Sequence, residues 1–162
     1  MPTTPIFVCE GTTQKEYRGR RKHVIIPQGI ESIANGVFME RKSVETIVLP
    51  DTVSSIGLFA FAGCENLETI VIPGHLQFIG VGIFDGCTNL KRLVFPPTGE
   101  GVLGILLCEC RKIEKVEFND GSQVNLDAIK KKGASVRRAR AKSKKEGKLD
   151  LDWESWMDIR KK

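Results

Sequence analysis

The sequence has no apolar run approaching the ~20 residues a membrane-spanning helix needs, so no spanning segment is read from it. Near the start the apolar run Ile6–Cys9 is four residues long and follows no basic segment, so no secretory signal is read. The expected location is therefore the cytoplasm, where thiols stay reduced, with a surface or nuclear location left open. Residue 2 is Pro and the last residues are Arg160-Lys161-Lys162, which match no lipidation signature. Histidine is scarce: His23 and His75 are the only two, and neither has metal-ligand spacing to a cysteine. Five cysteines in 162 residues are too few, and too odd in number, for a disulfide scaffold. Neither a G-x-S-x-G elbow nor a GK[ST] phosphate loop occurs. No catalytic residue, cofactor site or metal site is read, and the expectation is that the protein is not an enzyme.

The chain does contain periodicity. Pro27, Pro50, Pro73 and Pro96 are each 23 residues apart. At the same shift Val24, Ile47, Ile70, Leu93 and Val116 align, as do Ile26, Leu49, Ile72, Phe95 and Phe118. Further columns are Ile33/Ile56/Ile79/Val102, Phe38/Phe61/Phe84/Leu107 and Val44/Leu67/Leu90/Ile113. Cys64, Cys87 and Cys110 form another, with Arg41 in the first repeat. A fixed period of this length marks a solenoid, in which each unit buries its apolar columns only by stacking on its neighbours. Within a unit, alternation at Ile70-Val71-Ile72 predicts a short strand, stopped by Pro73, which has no N–H for a ladder. The stretch Gly57–Gly63 reads as one or two helical turns closed by glycine. Five parallel strand passes at the ordinary spacing span about 19 Å.

These motifs carry a resemblance. Ile70-Val-Ile-Pro73, Ile79-Gly80, Phe84 and Gly86-Cys87-Thr-Asn-Leu90 resemble the BspA-like leucine-rich repeat, LxxIxIPxxVxxIGxxAFxGCxxL. Gly57, Ala60-Phe61 and Gly63-Cys64 repeat the pattern; Arg41 in the first repeat, and Leu103, Leu107 and Glu109 in the fourth, depart from it. The resemblance implies an α/β solenoid, a short leucine-rich-repeat stack with its parallel sheet on the concave face, and a binding role without catalysis. It also implies kinship with exported surface proteins that bind host or matrix proteins.

The expected organisation is an N-terminal cap over 1–23, repeats over 24–118 (four and a last strand), and a C-terminal cap with a basic, partly disordered tail over 119–162. The first part reads as strand, turn and strand. Charge separates the last: residues 119–162 hold 13 Lys/Arg and 7 Asp/Glu, whereas residues 1–118 carry a net charge of −1. Asp127–Lys132 reads as a short capping helix. From Lys130 to Lys148 there are ten basic residues and one acid, a composition expected to be solvated and disordered. Beyond it Leu149, Trp153, Trp156 and Met157 recur at helical spacing.

Three candidate surfaces follow. The outward strand positions Ile25, Val48, Val71 and Val94, flanked by Thr46, Thr69, Arg92 and Lys115, form an apolar strip, either from strand propensity alone or as a groove for a partner protein. Lys130, Lys131, Lys132, Arg137, Arg138, Arg140, Lys142, Lys144 and Lys145 are candidate contacts to a polyanion, nucleic acid included; no aromatic residue lies among them for base stacking. Trp153 and Trp156 either cap the last coil against Phe118 or anchor a partner. The leading expectation is a protein–protein interaction module. A nucleic-acid or ribonucleoprotein role through the tail comes second, and an adhesin-like surface role third. Nothing specifies an oligomeric state. The Cys column reads as small core hydrophobes rather than ligands, because solenoid columns run parallel instead of converging.

Overall fold

Three-residue strands alternating half-buried, buried and outward positions open each repeat, and stacking aligns them. The computed structural model describes residues 7–98 and 100–147 and places among them, in chain order, β1 (Phe7–Glu10), β2 (Thr13–Tyr17), β3 (His23–Ile25), β4 (Ser32–Ile33), β5 (Thr46–Val48), β6 (Ser55–Ile56), β7 (Thr69–Val71), β8 (Phe78–Ile79), β9 (Arg92–Phe95), α1 (Glu100–Leu106), β10 (Lys115–Phe118) and α2 (Leu126–Lys145). One sheet has the order β10-β9-β7-β5-β3, all parallel, and its register is the sequence period: Val24 faces Ile47, Ile47 faces Ile70, Ile70 faces Leu93 and Leu93 faces Val116. The second sheet, β1-β2-β4-β6-β8, is parallel except for the β1–β2 hairpin. The fold is a β-solenoid.

The stretch expected to be helical at Gly57–Gly63 is not a helix. Alternate N–H groups there bond to the next coil instead: Phe59 to Val81 at 3.0 Å, Phe61 to Ile83 at 3.2 Å and Gly63 to Asp85 at 2.7 Å. The preceding coil does the same from Gly36, Phe38 and Glu40. These groups must be paired inside the stack, and coil-to-coil bonding pairs them without a helix. The bends require left-handed corners, at Gly36, Phe59 and Gly82 and again at Glu40, Gly63 and Gly86. Gly80 has a different cause: a Cβ there would lie 2.4 Å from the Gly57 carbonyl carbon and the Leu58 nitrogen, so the coils of Gly57 and Gly80 approach this closely only with glycine at position 80.

The columns fill the space between the two sheets. Phe38, Phe61 and Phe84 are fully buried and their rings follow one another at 5.6 and 6.1 Å. Tyr17 extends this ladder, 4.9 Å from Phe38, so the aromatic column begins outside the region where the period is readable. The Ile33 column ends differently from expectation. Val102 was aligned with it, but α1 replaces the short strand there, leaving Val102 exposed and burying Leu103 completely.

The basic run is also not disordered. Over 126–145 it forms α2, started by Asn125, whose side-chain oxygen accepts the Ala128 N–H at 3.0 Å. Its alanines, lysines and arginines are strong helix formers, and Ile129 and Gly133 are buried where it packs on α1. Gly133 permits the close approach: a Cβ there would sit 3.3 Å from the Gly104 carbonyl oxygen and the Cys108 Cα. Trp153 and Trp156 lie outside the described residues.

Candidate partner-binding surfaces

The strand register brings the expected strip together. Ile25, Val48, Val71 and Val94 stand side by side on the outward face of the five-stranded sheet, followed by Glu117 on β10. Ile25 is 73 % exposed and Val48 36 %, while Val71 and Val94 are half-buried. The flanking row runs His23, Thr46, Thr69, Arg92, Lys115 in the same register. His23 Nδ1 lies 2.8 Å from Thr46 Oγ1. Arg92 and Lys115 both reach Glu117, at 2.8 and 2.9 Å. Hydrogen bonds from Lys115 and Arg92 hold the Glu117 carboxyl below the usual carboxylate range. Lys22 pairs with Glu45 at 2.8 Å, and Lys91 with Glu68 at 3.3 Å, one position before the row. The strip is thus an apolar band bordered by paired charges, and the band is most open at β3.

The cations of α2 divide by helix face. Arg137 donates to the Cys108 carbonyl. Arg140 lies 3.3 Å from a carboxylate oxygen of Asp85, itself 1 % exposed, and 3.7 Å from Glu109. Glu109 also accepts the Gly86 N–H at 2.7 Å. Arg137 and Arg140 therefore fasten the helix to the solenoid and differ from the free cations the run was expected to supply. Lys131, Arg138, Lys142 and Lys145 recur at helical spacing on the exposed side, and Lys130, Lys132 and Lys144 are exposed too.

This clamp was missed in the sequence, although a signal exists. Asp85 occupies the column of Met39 and Ala62, and Glu109 that of Glu40, Gly63 and Gly86. The acid in the otherwise apolar column marks the coil that meets another element; Glu109, whose column also holds Glu40, does not. Also unanticipated is the exposure of Phe78 on edge strand β8 (53 %), and of Val102 and Ile105 on α1.

The cysteine column is closed to solvent. Cys64, Cys87 and Cys110 donate weakly to the carbonyls of Phe38, Phe61 and Phe84, at 3.0, 3.2 and 3.7 Å. Burial pushes the Cys64 thiol up to about 12, and those of Cys87 and Cys110 well above the ordinary value. Such thiols are neither nucleophiles nor ready metal ligands. No group of three His, Cys, Asp or Glu among the described residues is placed to hold a metal ion. None of the described helices is long and apolar enough to cross a membrane.

With coils, register and columns in view, the class is a leucine-rich repeat solenoid. The chain belongs to the BspA type leucine rich repeat region family, whose model matches residues 17–132 in six copies. No curated protein matches the sequence significantly. Among solved structures, a leucine rich cell surface protein from Faecalibacterium prausnitzii A2-165 is similar at 20 % identity with a TM-score of 0.52, over 76 % of this chain and 39 % of that one. A leucine-rich repeat protein from Eubacterium ventriosum ATCC 27560 is similar at 19 % identity with a TM-score of 0.50, over 65 % of this chain and 36 % of that one. The chain thus spans well under half the length of these relatives, and the likeness is one of fold. Leucine-rich repeat proteins of this kind are non-enzymatic repeat proteins that generally mediate protein interaction or surface adhesion.

Proposed function

We infer that the protein is a non-catalytic binding module that takes a partner protein on the outward face of its five-stranded sheet, along Ile25, Val48, Val71 and Val94. The carrying observation is the exposure of this in-register apolar band, open at Ile25 and bordered by Thr46, Thr69, Arg92 and Lys115. Apolar centres with polar rims are the usual anatomy of a recognition surface. The four buried, unpaired cysteines suit a reducing compartment such as the cytoplasm. A Val48→Glu/Val71→Glu variant should keep its circular dichroism spectrum and melting temperature, because both side chains point outward. It should lose capture of the protein partner that the wild-type chain retains from lysate. Retention of that partner by the folded variant removes this face from the reading.

A second reading is favoured by the α2 surface, where Lys131, Arg138, Lys142 and Lys145 share one exposed side. Such a face suits a polyanion, nucleic acid included. Salt separates the two readings. Nucleic-acid binding weakens with a log–log slope of roughly 0.7–0.9 per neutralised phosphate, whereas an apolar face tolerates moderate salt. Adhesion to a surface-exposed protein is a third use of the same sheet face, in keeping with the cell-surface relative.

A further inference from the structure

Two hollows, of about 580 and 550 Å³, adjoin where the last coil meets α2, and they share Arg111 and Arg137. Leu107, Ile113 and Ile129 lie buried beneath them, so what this cleft offers a ligand is charge. The coil contributes Arg111 and Lys112, and the helix contributes Lys130, Arg137, Arg138 and Arg140. Arg137 and Arg140 are held in position by the Cys108 carbonyl and by Asp85. Lys112 donates to Asn89 Oδ1 at 2.6 Å. Arg111, Lys130 and Arg138 are exposed, and none of the three has an ion-pair partner among the described residues. Glu109, the one acid among the described residues lining the cleft, already accepts the Gly86 N–H and lies 3.7 Å from Arg140. The positive charge is therefore left largely uncompensated.

Arg138 belongs both to the cleft and to the exposed row of Lys131, Lys142 and Lys145. The cationic surface thus continues from the last coil across the helix. From Lys130 to Lys145 it follows α2 for about 22 Å at the helical rise. Only an extended anion engages such a surface along its length, and a nucleic-acid duplex carries one phosphate charge per ~1.7 Å of axis. Guanidinium forks match phosphate oxygens. No aromatic side chain lines the cleft, so unstacked bases find no platform there. What remains to be recognised is the backbone of a paired helix.

We propose that the cleft and α2 together grip the phosphate backbone of a nucleic-acid duplex without reading its sequence, with Arg111 and Lys112 of the solenoid acting alongside Arg138 and the exposed lysines of the helix. This rests on the polyanion reading of α2 and adds the last coil to that site. It is independent of the partner-binding reading of the sheet.

Fluorescence anisotropy of a short labelled DNA duplex, titrated with the full chain between about 50 and 200 mM salt, tests it. The wild type should bind with a steep salt dependence. Arg111→Gln/Lys112→Gln should lower affinity roughly tenfold and reduce the log–log salt slope by about 1–2, while the circular dichroism spectrum is unchanged. Arg111→Gln alone removes a side chain that holds nothing else in place, and should reduce the slope by about half as much. Lys131→Gln/Lys145→Gln should also weaken binding. If this helix variant weakens binding and the coil variants bind as the wild type does, the cleft is not part of the site, and the polyanion reading of α2 stands without it. If the wild type binds no duplex at the lowest salt, both fail. Single strands of the same length bound as tightly as the duplex overturn the assignment to a paired helix. Competition by polyglutamate at equal charge concentration, as effective as unlabelled duplex, overturns it in favour of an acidic protein.

Discussion

Each buried thiol in the stack has two neighbours that matter, the apolar column around it and one main-chain carbonyl of the preceding coil. Cys87 is fully buried and bonds the Phe61 carbonyl at 3.2 Å. Cys87→Ala removes both the sulfur's packing and the weak donor, and should cost about 1–2 kcal/mol in urea unfolding. The pH dependence follows from the same burial. The Cys64 thiol is raised from 9.0 to about 12, and Cys87 and Cys110 are raised well above 9.0. Above pH 9 the unfolded chain loses these protons while the folded chain keeps them, so the unfolded state is favoured as pH rises. Stability from these thiols is constant below about pH 9 and falls above it, by up to ~1.4 kcal/mol per pH unit per thiol. Urea unfolding between pH 7 and 10 checks this, and a shallower fall above pH 9 in Cys64→Ala/Cys87→Ala than in the wild type confirms the assignment. A fall as steep as the wild type's, or steeper, refutes it.

At the scale of elements, the strands of the five-stranded parallel sheet and their register were legible in the sequence, as was a helix at Asp127–Lys132, whereas the short strands β4, β6 and β8, helix α1 and the continuation of α2 to Lys145 were not. A 23-residue period fixes which side chains share a column, and a parallel solenoid converts columns into register without further information. Helix or turn at Gly57–Gly63 depends instead on where the N–H groups go, and only the neighbouring coil decides that. The continuation of α2 beyond Lys132 was hidden for a related reason. Its charge density reads as solvated, but Ile129, Gly133, Arg137 and Arg140 commit one side to the solenoid. The clamp at Arg140 makes this testable. Arg140→Ala leaves Asp85 buried without its guanidinium and should destabilise the fold by roughly 3 kcal/mol. Asp85→Ala restores the small apolar residue found in the same column at Ala62, and the pair Asp85→Ala/Arg140→Ala should recover most of the loss. Equilibrium unfolding of the single and double variants measures the coupling. Additive losses in the double variant would show that the two side chains act separately.

For the molecule as a whole, stability resides in stacking, so the ends decide how much of it survives. Inner coils have another coil on both sides; the first has one on one side only, and on the other β4 pairs with the β1–β2 hairpin. There the apolar column of Ile33, Ile56 and Ile79 is continued by Gln14, set opposite Ile33 in β2. Gln14 is fully buried, yet neither its amide nitrogen nor its amide oxygen has a hydrogen-bond partner among the described residues. A buried amide without partners costs about 1–3 kcal/mol relative to a paired one, and an apolar residue of the same shape avoids that cost. Gln14→Leu should therefore stabilise the protein by about 1–2 kcal/mol. Nearest-neighbour coupling directs where the gain appears. Amide exchange should slow most in β2 and β4, where the hairpin meets the first coil, and least in β9 and β10 at the far end of the stack. If β2 and β4 exchange as before while the melting temperature rises, the substitution has acted through the unfolded chain. If stability falls, Gln14 holds the hairpin in place, and the polar residue is part of how the solenoid begins.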